Sequence, residues 1–290
     1  MGKASRRKGE NKRTPTAPAQ QQPAFARRPF EGLPGETGWV AMREIVPAAT
    51  AKVTFTHDGA TRAATVASVL PLAWPGLHRA DGSLFVALQT GGSSSDASRD
   101  IAEALLAVAA LEPGQPLMVS PRASAARPRL QDLLTGDDFQ VDLHEGFDFW
   151  VEGQDMDEEG AASLARANEA ITPTARMQSA PDAYWCRIGN RTYIRWVLPH
   201  DEDKATDALA RLQAAGASSL GEGKLLGAFR AHGLLVPVWE VDAGDEAASF
   251  EDDFAALVAR FGEQLQVDAP LTAQERRARS GITSRQLTLR

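Results

Sequence analysis

Tyr184-Trp185-Cys186-Arg187-Ile188-Gly189-Asn190-Arg191-Thr192-Tyr193-Ile194-Arg195-Trp196-Val197 is the stretch that decides the fold. Two runs of aromatic and β-branched residues flank a Gly-Asn pair, the pattern of two antiparallel strands joined by a two-residue hairpin loop. Just downstream, residues 201–215 place Ala205, Ala208, Leu209 and Leu212 on one helical face, and Gly216 supplies the stop. The unit reads as strand, tight turn, strand, helix.

The same unit recurs in both directions. Toward the C-terminus, residues 225–231 and 234–241 flank His232-Gly233 as a hairpin, with a helix ending at Gly233 as the competing reading. Ser249 and Asp252 then form an N-cap pattern ahead of the strongest apolar stripe in the chain, Phe250, Phe254, Leu257, Val258, Phe261 and Leu265. Toward the N-terminus, Val53 and Phe55 alternate with threonines up to His57-Asp58-Gly59, and Val66 to Leu70 resumes the apolar run as a hairpin partner. Asp81-Gly82 signals a type I′ turn before residues 84–88, followed by a helix over 98–111. A less regular pair, residues 139–143 and 147–151 around Glu145-Gly146, precedes a helix over 157–171.

These units predict an α+β fold with antiparallel sheets built from hairpins alternating with single helices. They favour two related halves, residues 29–171 and 183–270, split near 172–182. A doubly wound parallel sheet fits the pattern less well.

The 290 residues are 43% hydrophobic and 24% charged, which suits one large domain or two smaller ones with real cores and no need of a metal or disulfide staple. Cys186 is the lone cysteine, which excludes an intramolecular disulfide framework and a zinc site built on several thiolates. No stretch approaches the roughly 18 consecutive apolar residues that span a bilayer, and the N-terminus has no apolar signal region. Residues 1–13 lack an apolar face, and Arg6 stands where a myristoylation signal asks for Ser or Thr. The expectation is a cytoplasmic protein with no membrane partner.

Charge is unevenly spread over the net −7. Residues 1–28 hold Lys3, Arg6, Arg7, Lys8, Lys12, Arg13, Arg27 and Arg28 against Glu10, a balance of +7. Residues 276–290 add +5, which leaves −19 on residues 29–275. The first arm, rich in proline and glutamine and poor in large apolar groups, is expected to be disordered, and residues 271–290 are read as a basic C-terminal tail. Lys3, Arg6, Arg7, Lys8, Lys12 and Arg13 are the candidate contacts for a polyanion such as RNA or the ribosome. The alternative is a solubilising tail lying along its own acidic body.

Common catalytic signatures are missing: there is no Gly-x-Ser-x-Gly elbow, no His-Glu-x-x-His pair and no Gly-x-Gly-x-x-Gly. Thr90-Gly91-Gly92-Ser93-Ser94-Ser95 has the composition of an anion-holding loop, and equally of a connector, which is the favoured reading. His200-Asp201-Glu202-Asp203 can be drawn as a metal cluster, although acids in the first turn of a helix suit its macrodipole unaided. His144 among Asp142, Glu145 and Asp148 reads as a solvated strand edge. Cys186 faces Tyr193 across the ladder and reads as a small buried hydrophobe rather than a nucleophile. The strongest surface candidate is Arg187, Arg191, Arg195 and Tyr193, cations and aromatics that could pair phosphates and stack bases. The competing reading puts the aromatics in the core and pairs the arginines with the body's acids. No catalytic residue, metal ligand or cofactor is assigned.

Residues 1–8, Arg28-Pro29-Phe30-Glu31-Gly32-Leu33-Pro34-Gly35-Glu36, residues 184–203 and Phe229-Arg230-Ala231-His232-Gly233-Leu234-Leu235-Val236-Pro237-Val238-Trp239 together resemble an actinobacterial family classed as a domain of unknown function. The resemblance covers nearly the whole chain and implies no catalytic residues. Some relatives carry names such as preprotein translocase or topoisomerase, but no nucleotide-binding loop is present to support the first, and the chain is too short for the second. The functional expectation is a non-catalytic adaptor or binding module whose basic arms contact a polyanion. The alternative is a small-molecule enzyme with a site near the 184–203 hairpin.

Overall fold

Two sheets divide the strands between them. In chain order the elements are α1 (Glu36–Glu44), β1 (Ala49–His57), β2 (Ala60–Ala67), β3 (Gly76–His78), β4 (Leu84–Ala87), α2 (Ala97–Ala109), β5 (Pro116–Leu117), α3 (Leu130–Leu133), β6 (Asp142–Leu143) and α4 (Glu158–Glu169). There follow β7 (Thr174–Arg176), β8 (Ala183–Ile188), β9 (Arg191–Trp196), α5 (Glu202–Ala214), β10 (Lys224–Ala231), β11 (Leu234–Val241), α6 (Glu251–Leu265) and α7 (Ala273–Thr283). The computed structural model describes residues 22–68, 74–89, 94–153 and 156–283. One sheet runs β5-β3-β4-β2-β1-β6 and the other β10-β11-β9-β8-β7. Pairing is antiparallel throughout except between β2 and β4, so the fold is α+β.

Turn chemistry accounts for the three cleanest hairpins. Asp58 and Gly59 (φ 50° and 77°) and His232 and Gly233 (φ 47° and 82°) occupy the left-handed region that a two-residue primed turn needs. A helix could not continue through the second pair, which is why 224–241 is a hairpin. At the third, Gly189 has φ 60° and the strands pair from Ile188↔Arg191 to Ala183↔Trp196. The turn at Asp81-Gly82 departs from expectation. Only Gly82 is left-handed, Gly82 N donates to Arg79 O at 2.9 Å and Arg79 N to Ser83 O at 2.8 Å, giving a three-residue loop.

Helix starts follow their caps: the carboxylates of Asp96, Asp157 and Asp201 accept from Ser98 N, Gly160 N, and the N–H groups of Asp203 and Lys204. Ser249 does not cap α6; a 3₁₀ turn at Ala247–Phe250 leads into it, and Glu251, Asp252 and Asp253 face the macrodipole instead.

Two other segments correct the sequence reading. Residues 147–151 are not a strand: Asp148–Trp150 is a 3₁₀ turn that sends Phe147 and Trp150 into one apolar cluster, with the Trp150 indole donating to Ser68 O at 2.9 Å. Residues 273–283, within the stretch read as a tail, form α7. Ile282 is buried at its end, and Arg279 pairs with Asp203 and Asp207 of α5. Its single buried apolar residue gave the sequence no stripe to show. At the other end, residues 1–21 of the arm lie outside the described residues, as do 284–290. Residues 26–28 are seated on the body, with Ala26 N donating to Ser95 O at 2.8 Å.

Both faces of the second sheet are buried. Tyr184, Val197, Leu234 and Val236 join a core with α1, α2 and the first sheet, including Trp39, Phe55 and Leu105. Trp185, Ile194, Trp196, Leu235 and Trp239 face α5 and α6, packing on Leu209, Phe254 and Phe261. The proposed split at 172–182 thus falls between the sheets, while one core runs across it.

Close approach fixes α2 against the first sheet at Gly76, where an added Cβ would lie 2.4 Å from Val108 Cγ2 and 2.7 Å from Phe85 O. Gly76→Ala should cost about 1–3 kcal/mol. Gly262, inside α6 with open space around it, should gain about 0.5–1 kcal/mol on replacement by Ala. Urea midpoints moving in opposite directions for the two variants check this assignment.

Candidate functional site

The hairpin β8–β9 distributes its candidate residues over two faces. Tyr184, Cys186 and Ile188 lie opposite Arg195, Tyr193 and Arg191 on one face, while Arg187 lies opposite Thr192 on the other, beside Trp185 and Ile194. The four candidates therefore do not form one surface. Tyr193 is 2% exposed. Arg195 is 8% exposed and donates to Ile45 O at 2.7 Å, and burial holds its pKa below the usual arginine value. Arg187 lies over the Trp185 ring at 5.0 Å and pairs with Glu246 at 3.0 Å; Arg191 stands 3.7 Å from Glu240. Two of the arginines are paired with acids of the body, and the third is spent on a carbonyl.

Cys186 is fully buried with Tyr193 and Val238, and burial pushes its thiol up despite the nearby Arg195. Beside it, Tyr184 donates to Asp182 at 3.2 Å and carries the Arg176 guanidinium 5.5 Å over its ring. Burial also pushes the Tyr184 phenol up, so neither group is set to ionise.

The His200–Asp203 run is spent on the fold. Asp201 caps α5, Asp203 pairs with Arg279 at 2.5 Å, and the His200 ring packs 6.0 Å from Phe261, with burial lowering its pKa. Glu202 is the residue whose role the sequence hid. Its carboxylate, 8% exposed, accepts from Arg27 at 2.6 Å and from Arg230. Burial alone would raise its pKa, but the hydrogen bonds and charges of Arg230 and Arg27 prevail and hold it below the usual carboxylate range. Arg28 adds a forked pair to Glu36 at 2.6 and 2.8 Å. Gly233 lies under this root: a Cβ there would come within 2.8 Å of Arg27 O. Around it, Glu31, Asp201, Glu202, Asp203 and Arg129 line a groove of about 450 Å³. The Arg27–Glu202 contact joins residues 175 positions apart and leaves no local signal in the sequence. Lys3, Arg6, Arg7, Lys8, Lys12 and Arg13 lie upstream, outside the described residues.

A second concavity, about 670 Å³, opens between the two sheets. Leu143, His144 and Glu145 border it from the first sheet, Thr172 to Arg176 from the second, with Trp185 and Glu246 beside them. His144 is held by Thr50 Oγ1 at 2.8 Å and rests on Phe149. Ser94 and Ser95 close the Thr90–Ser95 loop onto the protein itself, Ser94 N donating to Asp100 at 3.0 Å; residues 90–93 lie outside the described residues. Among the described residues no group of three or more His, Cys, Asp or Glu side chains is placed to hold a metal ion, and no helix is long and apolar enough to cross a membrane.

A family model described as "Family of unknown function (DUF5926)" matches residues 29–290. No curated protein and no solved structure matches.

Two consequences can be measured. Cys186 should resist alkylation in the native protein at neutral pH and react fully once denatured, whereas rapid native labelling would contradict its burial. Glu202→Gln should lower stability at neutral pH. Because the folded pKa is depressed, the deficit is present above the unfolded value near ~4.3 and vanishes as pH falls through the folded value. Urea midpoints of parent and variant, separated at pH 7 and converging as the pH falls below the usual carboxylate range, report it.

Proposed function

We propose that this chain, which belongs to that family of unknown function, is a non-catalytic binding protein that tethers its acidic body to a polyanion such as RNA or the ribosome through the basic residues upstream of Arg27. The observation that carries the reading is Glu202. A buried carboxylate clamps Arg27 at 2.6 Å at the N-terminus of α5, and Lys3, Arg6, Arg7, Lys8, Lys12 and Arg13 all precede Arg27 in the sequence. The residues of the body support a division of labour. With −19 over residues 29–275 it repels phosphate, and the arginines of the β8–β9 hairpin are already occupied.

The competing reading, an enzyme working near residues 184–203, finds its nucleophile buried with a raised pKa and its histidine packed against Phe261. It draws no support from this geometry.

Contacts made by lysine and arginine to phosphates release counterions, so binding should weaken steeply with salt and show little sequence preference. Filter binding of a mixed-sequence RNA should lose most of its affinity when residues 1–21 are deleted. Joint replacement of Arg187, Arg191 and Arg195 by Gln should change it less than twofold. Full affinity after the deletion, with loss in the triple variant, would move the site onto the hairpin.

A further inference from the structure

Consecutive residues of a strand point to opposite faces, so a space bordered by an unbroken run of them lies along the strand's edge. The 670 Å³ cleft has such runs on both sides: Leu143-His144-Glu145 at β6 and Thr172-Pro173-Thr174-Ala175-Arg176 at β7. These are the terminal strands of the two sheets.

Hydrogen bonding shows which backbone groups are left over. Met177 N donates to Ala183 O at 2.9 Å and Arg187 N to Pro173 O at 3.0 Å, so residues 173, 175 and 177 turn their polar groups toward β8. By antiparallel alternation Thr174 and Arg176 turn theirs away, into the cleft side. The Arg176 carbonyl has a 3.5 Å approach from the Gln178 side chain. On the opposite side His144 N donates to Ala48 O at 3.0 Å, which turns the backbone of Leu143 away from β1. The Arg176 guanidinium already crosses the gap to Val141 O at 2.5 Å, so the two edges are within side-chain reach. Trp185, 3% exposed, borders the same space, and its buried indole N–H has no acceptor among the described residues.

We propose that this cleft is a docking site for an extended peptide segment of a partner protein, which adds a strand against the outer edge of β7 and lies alongside Leu143 of β6. Unpaired edges are templates for strand addition, and a volume of this size falls within the usual range for ligand sites. The walls describe the peptide. Val46, Pro47, Leu143 and Ile171 offer apolar contacts, which calls for alternating apolar side chains. The rim carries Glu145 on a body of strongly negative charge, while Glu246 is held by Arg187, which calls for a cationic residue where the segment passes Glu145. None of residues 22–28 lines the cleft, and the proposal does not rest on the polyanion reading, so the two succeed or fail separately.

The probe is the acetylated, amidated peptide Lys-Val-Thr-Val-Thr-Val-Lys, titrated into the full chain by calorimetry, beside a copy N-methylated at alternate residues so that one edge loses its donors. Thr174→Pro removes an N–H that points away from β8, a substitution an edge strand accommodates. The parent peptide should bind saturably, the methylated copy at least about tenfold more weakly, and Thr174→Pro should lose about three- to tenfold, the worth of one hydrogen bond. Glu145→Lys should weaken binding in low salt, and deletion of residues 1–21 should leave it unchanged. Should Thr174→Pro fail to fold by its thermal transition, the methylated peptide and Glu145→Lys still decide. No saturable binding to the parent protein, or equal affinity for both peptides, overturns the proposal. A concentration-dependent dimer that Thr174→Pro dissolves overturns it in favour of a second copy of this chain.

Discussion

The second sheet has no solvent face, and the remainder of the architecture follows from that constraint. Tyr184, Val197 and Val236 must be covered from one side and Trp185, Trp196 and Trp239 from the other. A half made of residues 183–270 would leave the first set in water, at roughly 1.5–3 kcal/mol for each large side chain uncovered. The first sheet and α1 provide that cover. The chain has two sheets but a continuous interior, to which both halves of its connectivity contribute side chains.

Much of this organisation was legible because it is written locally. Asp58-Gly59, Gly189-Asn190 and His232-Gly233 name their turns, and Asp157 and Asp201 name their helix starts. What escaped was decided at a distance. Residues 147–151 have the alternation of a strand, but Ser68 O offers Trp150 an acceptor that only a tighter turn can reach. The helix at 273–283 is held by Arg279 to Asp203 and Asp207 rather than by an apolar stripe, so its composition reads as a tail. Of the candidate sites, the hairpin was placed correctly in register, yet a two-residue loop puts Arg187 out of phase with Arg191 and Arg195. The edge cleft could not be seen at all, since it is formed by two short strands from different sheets.

Helix α5 gathers much of the electrostatics. Its first turn holds Asp201 on its own backbone, Glu202 on Arg27 and Arg230, and Asp203 on the C-terminal helix. Acids at a helix N-terminus are favoured by the macrodipole before any partner arrives. Here Glu202 and Asp203 also each fasten a different part of the chain, so a run resembling a metal cluster works as a junction between segments far apart in sequence.

Gly233 closes one hairpin and also lets Arg27 and Arg28 lie against it, with no room for a methyl group between. The place where residues 26–28 meet the body is therefore set by a residue about 200 positions away. A side chain there would push Arg27 and Arg28 off the body and break their pairs with Glu202 and Glu36. Two guanidinium groups now held by fixed carboxylates would return to solvent as free positive charge, so one methyl group at a turn would alter the electrostatics of a surface formed by the other end of the chain.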